Sequence, residues 1–325
     1  MKMRDVVGVL IVLVSVLQVV QAADLTWDAN GTGVDQTDGG GTWLNANQWW
    51  DGSTNVTWNS GTPDNATIGN GGNGGTITVG AVTNGTLAFG NFSGTYRLSG
   101  GSLEQSGGIT DSTGSGKIQI DSAITGAGGI TKTGPGFFIL SSKNNAYSGA
   151  TSVRNGVLQI GTGWGNTWTS EVLPSGTNLE INDGSVAIWY RGSRSLGAGP
   201  GEVQLTGGTC GFVNYQGDAG GSLWVINNDA NYEVVWGSAY FKPDVLLLQH
   251  SSGTGIGGPF GIPNRIDLNG TNRTVAADAT GRGSYRLLGK HGEFSGVIAN
   301  SGAAPAGIIK IGPGEFRLTA ENTFD

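Results

Sequence analysis

The residues best placed to do chemistry are oxygen donors and tryptophans near the amino terminus. Asp28-Ala-Asn30-Gly-Thr32-Gly33 opens like an EF-hand calcium loop, with ligands at alternate positions and glycine sixth. Asp28, Asn30 and Asp35 are the candidate calcium ligands, with Asp38 as an alternate to Asp35. The twelfth position is Gly39, where a bidentate Glu is needed, so a set of Asx turns competes with the calcium reading. Trp49 and Trp50 are adjacent, and in a strand one ring faces inward and the other outward. An outward indole can stack on a sugar face. Trp164 and Trp168 form a second candidate ligand-binding pair in a glycine-rich loop. Against the sugar platform stands burial, the usual fate of Trp.

Catalytic groupings are harder to assemble. Polysaccharide lyases and hydrolases need at least two convergent carboxylates or their equivalents. Asp183, Asp229, Asp267 and Asp278 lie singly in Asn/Gly turns, where they serve geometry, while Glu180 and Arg191 are candidates to meet across coils. There is no Gly-x-Ser-x-Gly elbow. His250 and His291 have no second His or Cys at ligand spacing. Cys210 is the one cysteine and reads as a small buried hydrophobe. The reading is a non-enzyme with no catalytic residues and no cofactor beyond the calcium candidate.

The elements that must position these residues are short strands. Glycine numbers 61 of 325 residues and charged residues only 13%, with no Gly-X-Y period. Such a chain has many turns needing positive φ. Thr76–Val79, Thr86–Phe89, Thr95–Leu98, Ser102–Gln105 and Lys117–Ile120 alternate polar with apolar residues between Gly, Asn or Ser clusters. That pattern suits a β-helix or a β-sandwich. The net charge of −7 leaves no basic footprint for nucleic acid.

Residues 1–23 read as a cleaved signal peptide. Lys2 and Arg4 precede an apolar run from Val6 to Val20, and Val20-Gln21-Ala22 offers a small-residue cleavage site. The run is shorter than a bilayer span, and no later segment is long enough to cross a membrane as a helix.

One sequence motif occurs twice. Residues 128–149 and 306–325 share Gly-Ile-x-Lys, then Gly-Pro-Gly, a short strand-like run and Asn-x-aromatic. The first copy supplies Gly129, Lys132, Gly134, Gly136, Asn145, Tyr147 and Gly149, and the second Lys310, Gly312, Gly314, Asn322 and Phe324. Gly-Pro-Gly cannot continue a helix or sit in a central strand, so it marks a corner. A repeating strand-and-corner unit points to stacked coils. The first copy, extended over 126–160, closely resembles the autotransporter-associated β-strand repeat of PATR-type passengers. Phe137-Phe138 departs from that pattern, standing where Thr-Leu is usual, and the second copy lacks the closing Gly. The resemblance implies an exported bacterial β-helix, often adhesin-like.

The expectation is therefore an all-β chain forming a right-handed parallel β-helix, with a β-sandwich as alternative. Residues 24–70, with five tryptophans, are expected to cap a helix spanning 71–325, whose last repeat at 306–325 is truncated. At ~20–25 residues per coil the helix holds roughly ten to thirteen coils. The expected role is a non-catalytic, extracellular or outer-surface scaffold that binds surfaces, the periplasm being an alternative location. A carbohydrate-active β-helix, binder or lyase, is the alternative role. Extracellular polysaccharide or a cell-surface component is the expected partner, together with a carboxy-terminal continuation or capping partner.

Overall fold

The structure is a computed structural model that describes residues 22–33, 36–112, 114, 116–161, 172–188, 191–214, 222–250, 260–278 and 291–324. Among the described residues nearly every element is a short strand, and almost every strand pairing is parallel. The antiparallel strand pairings lie in one ribbon, where Trp49–Trp50 bridges Asp24–Trp27 and Asn55–Val56. This overturns the sandwich alternative. A sandwich reverses direction at each turn, whereas here a strand pairs with one lying a whole coil further on.

Two long sheets wall the solenoid, one of thirteen strands and one of eleven among the described residues, and the eleven-stranded one continues to Ile308–Ile311. At ~4.8 Å per strand the longer axis of stacking is about 50 Å. Within the second sheet Tyr96, Ile118, Phe138, Leu158, Val186 and Phe212 stand in register, one above the next. All six are fully buried. The alternation read from the sequence follows from this column: every second side chain enters the core, and the residues between face outward.

Early coils are compact, about 20–22 residues each, and later coils are longer. The first sheet then ends at Ser195–Leu196 and Glu202–Gly207, while a third sheet begins at Arg191–Gly192 and a fourth at Glu233–Val235. The two copies of the repeated motif consequently sit on different sides of the solenoid. In the first, Gly-Pro-Gly links Ile130–Lys132 of the first sheet to Phe137–Leu140 of the second. In the other, it links Ile308–Ile311 of the second sheet to Glu315–Leu318 of the third.

The tryptophan-rich segment joins the same sheets. Asp24–Trp27 pairs parallel with Asn65–Ile68, and Gly41–Thr42 pairs parallel with Thr76–Thr78. The Trp49–Trp50 ribbon forms the amino-terminal end of the first sheet. Inside it Trp27, Trp43, Trp49 and Trp58 pack together, with Trp43 and Trp49 ring centroids 4.6 Å apart. Trp27 and Trp49 indole N–H groups donate to the carbonyls of Gly39 and Trp43, so burial leaves neither unpaired.

Candidate functional site

The repeated motif builds corners. Gly129 and Gly149 stack on successive coils with no room for a side chain. A Cβ on Gly149 would lie 2.4 Å from Gly129 N, and one on Gly129 would lie 2.3 Å from Ala150 O. A Cβ on Gly136 would meet Gly116 O at 2.5 Å. Gly134 and Gly314 donate their N–H groups to Asp111 O and Ala277 O on the preceding coil.

Both motif lysines bond the carbonyl two residues on. Lys132 Nζ donates to Gly134 O, and Lys310 Nζ donates to Gly312 O. Their surroundings differ. Lys132 is fully buried and pairs with Asp111 at 2.9 Å, whereas Lys310 is exposed. Burial pushes the Lys132 ammonium below its ordinary pKa, and Asp111 offsets part of that. Asp111 was not singled out from the sequence. The signal was its distance of one coil before Lys132, which puts the two in register.

Both motif asparagines tie coil to coil. Asn145 Oδ1 accepts the N–H of Ile124 at 2.9 Å, and Asn322 Oδ1 accepts the N–H of Ile298 at 2.8 Å. Asn145 Nδ2 reaches the other way, to Val172 O at 3.0 Å. Asn264, outside the motif, repeats the contact with Ile226 N–H. Tyr147 is buried with its hydroxyl 2.8 Å from Thr151 Oγ1. Phe324 packs partly buried against the core.

The candidate calcium loop uses its oxygens internally. Asp28 Oδ1 accepts from both the N–H and the hydroxyl of Thr37, and Oδ2 accepts from Asn55 Nδ2. Asn30 Oδ1 accepts from Thr32 N–H and Oγ1. Burial opposes the charged form of Asp28, but these donors outweigh it and hold its carboxyl below the usual range. Donor hydrogens thus face the carboxylate where a cation would need its lone pairs. Asp35, the third candidate ligand, lies outside the described residues, and Asp38 accepts from Tyr96 OH and two backbone N–H groups. Among the described residues no three His, Cys, Asp or Glu side chains gather as a metal site.

Trp49 is fully buried in the tryptophan cluster and offers no face to a ligand. Trp50 is half-buried on the opposite, outward face of the ribbon. Trp164 and Trp168 lie outside the described residues. Of the scattered acids, Asp183, Asp229 and Asp267 each accept backbone N–H groups in turns. Glu180 pairs with Arg154 at 3.0 Å.

One concavity is a feature the sequence did not point to. An open groove of about 690 Å³ runs along the outward face of the second sheet. Phe137, Val157, Leu247, Ala276 and Ile311 line it, between the prolines of the two Gly-Pro-Gly corners, Pro135 and Pro313. Phe137, the departure from the repeat pattern, thus faces outward. Among the described residues no helix is long and apolar enough to cross a membrane.

Two comparisons bear on this architecture. The chain is 26% identical over 311 residues to the adhesin BmaC autotransporter of Brucella suis biovar 1 (strain 1330). That match covers 92% of this chain but 9% of the relative, so the chain spans a small part of the relative's length. No solved structure matches it. The passenger-associated-transport-repeat family matches residues 130–160, the stretch holding Lys132, the Gly-Pro-Gly corner, Asn145 and Gly149. That family match falls on the first copy of the doubled motif, the copy whose residues resemble the repeat.

Proposed function

We propose that the chain is part of an exported, non-catalytic passenger whose β-solenoid presents a surface for adhesion. The observation that carries this reading is the alignment of 92% of the chain with an autotransporter adhesin. The fold supports it: stacked coils held by corner asparagines make a stiff rod with a continuous outer face. The acidic side chains add support, because Asp28, Asp183, Asp229 and Asp267 are engaged in turn hydrogen bonds. Export would use the leader read in residues 1–23, and the outer cell surface is the expected destination. Purified chain immobilised on a biosensor should bind extracted bacterial exopolysaccharide or animal-cell surface material while releasing no new reducing ends. Turnover of an acidic polysaccharide would replace this reading with the carbohydrate-active alternative.

A further inference from the structure

The antiparallel ribbon places a second, smaller concavity at the amino-terminal end of the solenoid. Thr26, Trp50 and Asn55 are cross-strand neighbours on its outward face. Trp27, Trp49 and Val56 occupy the inward face. Trp50 and Asn55 line an open cleft of about 300 Å³, together with Thr32, Asn47, Ser53 and Thr54. This is the lower end of the size range of small-ligand sites.

The chemistry of the lining is specific. Among the described residues it holds one half-buried indole, amides and hydroxyls, and no charged side chain. Asn55 is fixed from behind: its Nδ2 donates to Asp28 Oδ2 at 2.8 Å and to Asn47 O at 3.0 Å. Two acceptors on one side settle which end of the amide is nitrogen. Its Oδ1 is buried and accepts no hydrogen bond within the protein. Leaving such an acceptor unmet costs about 1–3 kcal/mol, which a donor entering the cleft would offset. Asp28, first read as a calcium ligand, here orients the group that would receive that donor.

We propose that this cleft binds a neutral hexopyranose oligosaccharide. The Trp50 ring would take the apolar face of a sugar, and Asn55 Oδ1 would accept a sugar hydroxyl. The proposal rests on the surface-binding reading above and assigns it a ligand class and a place.

The test titrates the full chain with maltohexaose, cellohexaose and mannohexaose, followed by calorimetry. We expect saturable binding of at least one. Trp50→Ala should weaken it about tenfold or more, Trp50→Phe by only about threefold, both with unchanged melting. A charged hexauronate should bind more weakly than the neutral ligand. No saturable binding of any of the three up to about 10 mM would overturn the proposal. Unchanged affinity in a folded Trp50→Ala would also overturn it. Cell-surface retention that survives in Trp50→Ala would sink the cleft alone and leave the surface-binding reading standing.

Discussion

Lys132 Nζ lies 2.9 Å from Asp111 Oδ2 on the preceding coil, and neither side chain is exposed. The pair joins the repeat's corner to the coil below it, because the same ammonium donates to Gly134 O. Removing one partner strands a buried charge. Lys132→Met or Asp111→Ala should therefore cost about 3–5 kcal/mol in urea unfolding. The double variant Lys132→Met with Asp111→Leu should recover most of that. A single variant as stable as the parent would show that the pair does not hold the corner.

Asn145 and Asn322 make the same contact in different sheets, each accepting an isoleucine N–H one coil back. Asn145→Ala orphans the buried Ile124 N–H and the Val172 carbonyl, and should lower stability by about 1–3 kcal/mol. Asn322 is half-buried, so Asn322→Ala should cost less. Equal thermal melting of parent and Asn145→Ala would contradict the ladder.

Stability should fall on the acid side. Burial raises the pKa of Asp28, Asp121 and Asp267, but their donors win and leave all three below the ordinary 3.8. For Asp267 those donors include Ser301 and the Asn269 N–H. The stability these carboxylates add is complete above the unfolded pKa and is lost as pH falls through the lower native values. Urea midpoints should thus decline below about pH 4, and Asp267→Asn should flatten part of that slope. A pH-independent midpoint from about pH 6 to 2 would contradict the assignment.

Cys210 should be inert. It is buried in the second sheet, and burial pushes its thiol up to about 12 despite backbone N–H groups that pull the other way. Iodoacetamide at about pH 8 should leave the native chain unmodified and label it fully in urea. Rapid native labelling would place the thiol at a surface.

What the sequence made legible was local. Gly-Pro-Gly announced corners, alternation announced which side chains enter the core, and Trp49-Trp50 announced an inward and an outward ring. These features depend on residues within one turn or strand of each other. What stayed hidden depends on coil length. Asp111 meets Lys132 only because about a coil of chain separates them. The second copy of the motif moved to different sheets because the intervening coils lengthened and the first sheet ended. The groove between Pro135 and Pro313 is invisible locally for the same reason, since its walls come from successive coils. The alternate oxygens of Asp28 and Asn30 suit an Asx-turn network as well as a cation, and the hydrogen-bond partners they take, Thr37, Asn55 and Thr32, are not carried by the spacing.

The measurement closest to the central claim is adhesion itself. Beads coated with the purified chain should be retained on cultured animal cells or on bacterial exopolysaccharide under flow, about tenfold above albumin-coated beads. The glycan layer should stay intact, with no products released. Retention no better than albumin on every surface, or release of saccharide fragments, would contradict the account.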